Sequence, residues 1–120
     1  METVFVSGGS GYIALHCISQ LIQKGFSVKT SLRKMERKVE VINSISKIVD
    51  CQDKIEFCEL DLMNDKGWDT AIEGCDYVLH LASPLLLGTP KNPDDLIKPA
   101  VEGIERCLKS AVKNKVKRFV

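Results

Sequence analysis

Ser7-Gly8-Gly9-Ser10-Gly11-Tyr12-Ile13-Ala14 puts three glycines into eight residues. A short β-type run, Thr3-Val4-Phe5-Val6, precedes it. Apolar residues at helical spacing follow: Ile13, Ala14, Cys17, Ile18, Leu21 and Ile22. Strand, tight glycine turn and helix N-terminus, in that order, are what a phosphate-binding βα unit needs. Glycine lets the backbone turn sharply and come close to a diphosphate. The first-turn N–H groups, from Tyr12 and Ile13 onward, have no intrahelical partner and can face an anion. Ala14 is small enough for helix and strand to pack closely. The competing interpretation is a plain strand-to-helix turn.

A second group of residues stands where a dinucleotide would need it. A discriminating residue falls about 20 positions beyond such a glycine run. An acid there would bind a free ribose 2′-hydroxyl, whereas cations suit a 2′-phosphate. This chain has Arg33, then Lys34, with Arg37 and Lys38 just beyond. Arginine offers a planar fork for phosphate; the alternative is a solvated charged turn, and Glu36 is close enough in sequence to pair with these cations. Asp61 follows a strand-like run and can accept from an adenine amino group, with the Leu62 backbone alongside, or can simply cap a turn. Leu81-Ala82-Ser83 ends another apolar run. A small residue there admits a ring or a ribose, and the Ser83 hydroxyl can bond to it; an ordinary strand exit is the other interpretation. His80 sits inside a buried-looking strand and reads as a structural histidine. Trp68 and Tyr77 read as packing residues.

The elements that must position these groups follow from periodicity. Helices are expected over about 11–24, closed by Gly25, and about 38–49. A short third helix runs through Trp68, Ala71 and Ile72, capped by Asn64 or Asp65 and stopped at Gly74. The last helix opens at Asp94 or Asp95, with apolar positions at Ile97, Val101, Ile104, Leu108, Ala111 and Val112; it starts near Pro99 or kinks there. Strands are expected at 26–32, 54–60, 75–82 and 116–120, besides the first, and Leu85 to Pro93 reads as a loop. This strict βα alternation implies a doubly wound α/β fold of Rossmann type. Its parallel sheet should have strand order 3-2-1-4-5, with the ligand crevice where strands 1 and 4 diverge.

At 120 residues the chain is one domain, 1–120, and its net charge of +1 gives no electrostatic case for nucleic acid. No apolar run approaches the roughly 20 residues of a membrane span. Five cysteines, Cys17, Cys51, Cys58, Cys75 and Cys107, lack metal-ligand spacing. Reduced thiols of this kind suggest the cytoplasm.

The quoted motifs together resemble the extended short-chain dehydrogenase/reductase superfamily, in the branch of dihydroflavonol and cinnamoyl-CoA reductases. Ser7 to Ala14 matches its T-G-x-x-G-x-x-[AG] fingerprint, with Ser for Thr. Asp61-Leu62 matches its D-L pair, His80-Leu81-Ala82-Ser83-Pro84 its H-x-A-[ST]-P, and Ile97-Lys98-Pro99-Ala100-Val101-Glu102-Gly103 its I-K-P-x-x-x-G. The resemblance implies NADP as cofactor, held by Gly8, Gly9, Ser10, Gly11, Tyr12, Ile13, Arg33, Lys38, Asp61, Leu62, Leu81, Ala82 and Ser83. Lys38 enters through the resemblance, although the loop before it is shorter here.

The same resemblance implies a catalytic Ser and a Tyr-x-x-x-Lys pair beyond Val120. Tyr12 and Tyr77 are the only tyrosines, and His16 and Leu81 stand four positions after them. The expectation is therefore the cofactor-binding part of a carbonyl reductase, truncated after strand 5 and inactive alone. A small-molecule substrate would be met only in a full-length form. A non-catalytic dinucleotide-sensing module and an NAD-dependent sugar-nucleotide epimerase or dehydratase fragment are the alternatives. An uncovered edge at strand 5 would invite self-association.

Overall fold

The computed structural model describes residues 2–51, 53–82 and 94–120. Strand and helix alternate as β1 (Thr3–Ser7), α1 (Tyr12–Gln23), β2 (Ser27–Leu32), α2 (Lys38–Ser46), β3 (Ile55–Glu59), α3 (Trp68–Ile72), β4 (Tyr77–His80), α4 (Asp94–Lys113) and β5 (Arg118–Phe119). All strand pairs are parallel and the sheet order is β3-β2-β1-β4-β5. The topology is the Rossmann-type arrangement expected from the alternation.

The strand period of two splits β1 between two cores. Val4 and Val6 face one side, with Val28 of β2, Ile18 and Ile22 of α1, and Val41 and Ile45 of α2. Phe5 faces the other, with Val78 of β4, Trp68 and Ile72 of α3, and Cys107 and Ala111 of α4. Residues buried on both faces explain why β1 reads as a continuous apolar run. Each fully buried aliphatic side chain contributes about 1.5–3 kcal/mol, so the crossovers are held by their inward stripes.

Several boundaries depart from the sequence pattern for local reasons. Gly67, at φ +92°, occupies the N-cap of α3, and no side chain caps it. The Asn64 carboxamide instead accepts from the Lys66 N–H at 2.9 Å, tightening the preceding turn. Helix α2 stops at Ser46 rather than continuing to Val49, and it is entered through one turn of 3₁₀ helix, Met35–Arg37. Helix α4 runs through Pro99 without a break.

The faces of α4 are the largest departure. Its buried positions among the described residues are small: Gly103, Cys107, Ser110 and Ala111. A Cβ on Gly103 would meet the Leu62 side chain at 2.8 Å, so this glycine sets how closely helix and loop approach. Of the apolar positions read from the sequence only Ala111 is buried. Ile97, Val101, Ile104, Leu108 and Val112 form an exposed row. The predicted loop Leu85 to Pro93 lies outside the described residues.

Candidate functional site

In a parallel sheet every strand ends on the same edge, so the turns after β1, β2, β3 and β4 meet there. Gly8 follows β1, Arg33 follows β2, Asp61 follows β3, and Leu81 and Ala82 follow β4. This edge gathers the residues singled out from the sequence, apart from Ser83, which lies outside the described residues.

The glycine turn is fitted to its neighbours. Gly8 has φ +73°, and a Cβ there would lie 2.8 Å from the Ala82 Cα. A Cβ on Gly9 would lie 2.3 Å from the Thr30 hydroxyl oxygen. Hydrogen bonds stitch the turn to β2: Gly9 N–H donates to the Ser31 carbonyl at 2.8 Å, and Gly8 N–H to the Ser31 hydroxyl at 3.0 Å. Gly11 differs, because a Cβ there would meet only the Gly8 carbonyl at 3.5 Å. Gly11 is the N-cap of α1, with extended backbone, no side-chain cap and no acidic residue in the first turn. Ser10, Gly11, Tyr12 and Ile13 are all exposed, whereas Ala14 is buried against the sheet. Among the described residues, then, no side-chain cap and no first-turn carboxylate neutralises the positive end of the helix.

Ser7 ties the two sides of the crevice together. Its hydroxyl oxygen accepts from the N–H groups of Leu81 at 2.9 Å and Ala82 at 3.0 Å. It also lies 2.9 Å from His80 Nδ1. A hydroxyl has one proton and two acceptor sites. With both acceptor sites taken, its proton goes to His80 Nδ1, and the ring carries its own proton on Nε2. Burial pushes the His80 pKa down from 6.5, in keeping with a neutral ring. The ring stacks on Phe119 of β5. His80 is therefore a structural histidine, as its place in the strand suggested.

The rim beyond β2 is less committed. Arg33 is exposed and has no hydrogen bond or ion pair among the described residues. Lys38 is exposed, and its ammonium lies 5.7 Å from the centre of the Phe57 ring on β3. Arg37 turns the other way: its Nη1 donates to the Ser10 hydroxyl at 3.2 Å, while Nε and Nη2 hold both oxygens of Glu40 at 3.2 Å. That pair holds the Glu40 carboxyl below its ordinary value.

Asp61 is exposed, and one carboxylate oxygen accepts from the Met63 N–H at 2.9 Å, so it closes a turn. Leu62 is half-buried against Gly103, and its carbonyl accepts from Arg106 at 2.7 Å. Ser31 and Thr30 are the participants that motif reading did not place at the site; Arg37 was named only as one of several cations after β2. The hydroxyl residues at the end of β2 offered a weak signal, and Arg37 lay in a charged run where no position stood out.

Elsewhere, a cleft of about 460 Å³ lies between α3 and α4. Arg106 pairs with Asp65 at 2.6 Å, and Lys113, outside the lining, with Asp69 at 2.8 Å. Asp65, Asp69, Glu102 and Glu105 line it against Arg106 and Lys109, an acidic excess that does not suit a diphosphate. The cysteines are free, and burial pushes Cys58 up to about 11 and Cys107 up to about 12, which leaves unreactive thiols. No group of metal-ligating side chains is present among the described residues, and no helix among them is long and apolar enough to cross a membrane.

The model of the NAD dependent epimerase/dehydratase family matches residues 4–120 of the chain. A putative anthocyanidin reductase from Ginkgo biloba is 36% identical over 98% of the chain and 34% of its own length. Vestitone reductase from alfalfa superposes with a TM-score of 0.77 at 32% identity, over 99% of this chain and 35% of that one. The yeast methylglyoxal/isovaleraldehyde reductase Gre2, solved with NADPH, gives a TM-score of 0.81 at 27% identity, over 98% of this chain and 35% of that one. The chain thus spans about a third of the length of the curated relatives it matches.

Proposed function

The chain belongs to the NAD dependent epimerase/dehydratase family, and from that premise we propose that it is the NADP-binding part of a reductase acting on a carbonyl. The observation that carries this reading is the contrast inside one turn. Gly8 and Gly9 are packed so closely that no side chain fits, whereas Gly11 and the uncapped start of α1 face open space. That combination suits a diphosphate lying over the first-turn amides. Gly8, Gly9, Ser10, Gly11, Tyr12 and Ile13 supply the cradle, and Ala82 leaves room for a ribose or ring beside it. Asp61, whose other oxygen accepts from the Met63 N–H, would accept from an adenine amino group with its second oxygen. Arg33, free of any partner among the described residues, is a cation available to a 2′-phosphate.

The bound cofactor would supply a hydride. The chain's own residues bind and orient it, and the Ser7 hydroxyl fixes the facing wall. Among the described residues neither tyrosine is positioned to donate a proton there. Tyr12 packs edge-on against His16, and Tyr77 stands at the start of β4, the end of the sheet away from the crevice. A missing general acid lowers rates by about 10²–10⁴-fold, so slow turnover of a carbonyl substrate is expected of these residues alone. The sugar-nucleotide epimerase alternative would favour NAD; the cationic end of β2 weighs toward NADP.

Titration with NADPH and NADH tests the reading. NADPH should bind more tightly, and Arg33→Ala should remove most of the difference, since a charged hydrogen bond contributes about 1.5–3 kcal/mol. Equal affinities in the unaltered chain would reject the Arg33 assignment.

The exposed row on α4 and the two-residue edge strand β5 support self-association of the chain. Sedimentation as a monodisperse monomer would contradict it.

A further inference from the structure

We infer that Arg106, on α4, is a positioning residue for Asp61. It fixes the peptide group to which the Asp61 carboxylate is anchored, and so aims the free carboxylate oxygen at an adenine amino group. The inference rests on the dinucleotide reading above and adds to it a residue from outside the crevice.

The link is one peptide group long. Between Leu62 and Met63 the carbonyl accepts from Arg106 Nη1 at 2.7 Å, and the N–H of the same group donates to an Asp61 carboxylate oxygen at 2.9 Å. A trans peptide group is a rigid plate whose C=O and N–H point in opposite directions. A cation that holds the carbonyl therefore sets the direction of the N–H, and the N–H sets the carboxylate. The guanidinium also polarises the plate, which strengthens the N–H as a donor. Asp61 spends one oxygen on this bond and keeps the other for a ligand.

Arg106 is itself held in place. Its Nε donates to Asp65 at 2.6 Å, and a Glu102 oxygen lies 3.9 Å from Nη1. Its side chain is only 21% exposed, so water competes little for the guanidinium. Gly103 stands one turn earlier on the same face of α4. The lack of a side chain there lets the helix come close to Leu62, where a Cβ would lie 2.8 Å from the Leu62 side chain. The neighbouring carbonyls are held by neutral donors close in sequence. That of Asp61 accepts from the Asn64 N–H at 3.1 Å, and that of Asn64 from the Trp68 indole at 2.9 Å. Arg106 instead brings a charge from another helix, and it registers the turn after β3 against α4.

The probes are NADPH and its deamino analogue, in which hypoxanthine replaces adenine, titrated into the full chain by calorimetry. The analogue carries a carbonyl where adenine has its amino group, so the ratio of the two dissociation constants reads the Asp61 contact and leaves the phosphates out. NADPH should bind about tenfold more tightly, as one hydrogen bond to a charged acceptor would give. Asp61→Ala should bring the two affinities within about twofold of each other. Arg106→Met, which keeps the apolar stem, should do the same, and Arg106→Lys, which keeps a donor, should recover part of the ratio. Adding Arg106→Met to Asp61→Ala should lower the ratio no further. A merely structural role would weaken both ligands alike, and an unchanged ratio in Arg106→Met overturns the inference. If Arg106→Met does not fold, Asp65→Ala removes the exposed carboxylate that steadies the guanidinium and should lower the ratio about twofold; no change there overturns the inference equally. An unaltered chain that binds both probes with equal affinity would overturn the Asp61 assignment, and this inference with it. One that binds neither would overturn the dinucleotide reading itself.

Discussion

The crevice has two sides that are built differently. On the wall, polar atoms are committed: Ser7 serves Leu81, Ala82 and His80, while Ser31 serves Gly8 and Gly9. No buried side-chain nitrogen or oxygen among the described residues lacks a partner. On the rim, Arg33 has no partner among those residues, Lys38 lies over a ring, and Arg37 is held by exposed contacts alone. The wall is shaped in advance because buried donors must be satisfied within the protein. The rim is solvated, so its groups can exchange water for a ligand at small cost to the fold. A change in the wall should therefore register as lost stability, and a change in the rim as altered ligand preference.

The strongest way to break this contrast is at Gly9. Gly9→Ala drives a Cβ to 2.3 Å from the Thr30 hydroxyl, which is itself bonded to the Val6 carbonyl at 2.7 Å. Overpacking of this kind costs about 1–3 kcal/mol. Urea unfolding should show that loss, and dinucleotide binding should disappear with it. Gly11→Ala, with only the Gly8 carbonyl nearby at 3.5 Å, should leave stability nearly unchanged and still weaken binding. Equal destabilisation by the two would erase the distinction between the packed and open parts of the turn.

Ser7→Ala sharpens the comparison next. It strips the acceptor from two N–H groups and the donor from His80, with an expected loss of about 1–3 kcal/mol. Ser7→Thr, which keeps the hydroxyl, should recover most of it. A neutral Ser7→Ala would mean that water replaces the hydroxyl and that the wall is not dry.

A smaller effect is expected from acid. The His80 pKa is lowered in the fold by burial, so the unfolded chain takes up a proton before the folded one does. The contribution of neutral His80 is complete above 6.5, its ordinary value, and is lost as pH falls below that toward the folded pKa. Unfolding free energy should decline over that interval, and His80→Gln should flatten the decline. An unchanged slope would place the acid sensitivity elsewhere.

Legibility in the sequence follows the same division. The sheet order and the fitted turn could be read because glycine spacing and strand alternation are local signals. The faces of α4 could not. Ile97, Val101, Ile104, Leu108 and Val112 form an apolar row with helical spacing, but Gly103, Cys107, Ser110 and Ala111 take the buried side. Close approach to α3 and Leu62 selects small residues, and a hydrophobicity pattern points to the wrong face. The cap of α3 went to Gly67 because positive φ at that turn outweighs a side-chain acceptor. On the rim, Arg37 was indistinguishable from its charged neighbours. The 3₁₀ turn Met35–Arg37 runs straight into α2, and there Arg37 meets Ser10 while Lys38 lies over Phe57.

Amide chemical shifts of the isotopically labelled chain during an NADPH titration test the central claim most directly. The account predicts that the largest changes fall on Gly9, Ser10, Gly11, Tyr12 and Ile13, with Arg33 and Ala82 following. Unmoved signals at those positions, with changes gathered instead around Arg106 and Lys109 in the α3–α4 cleft, would contradict it.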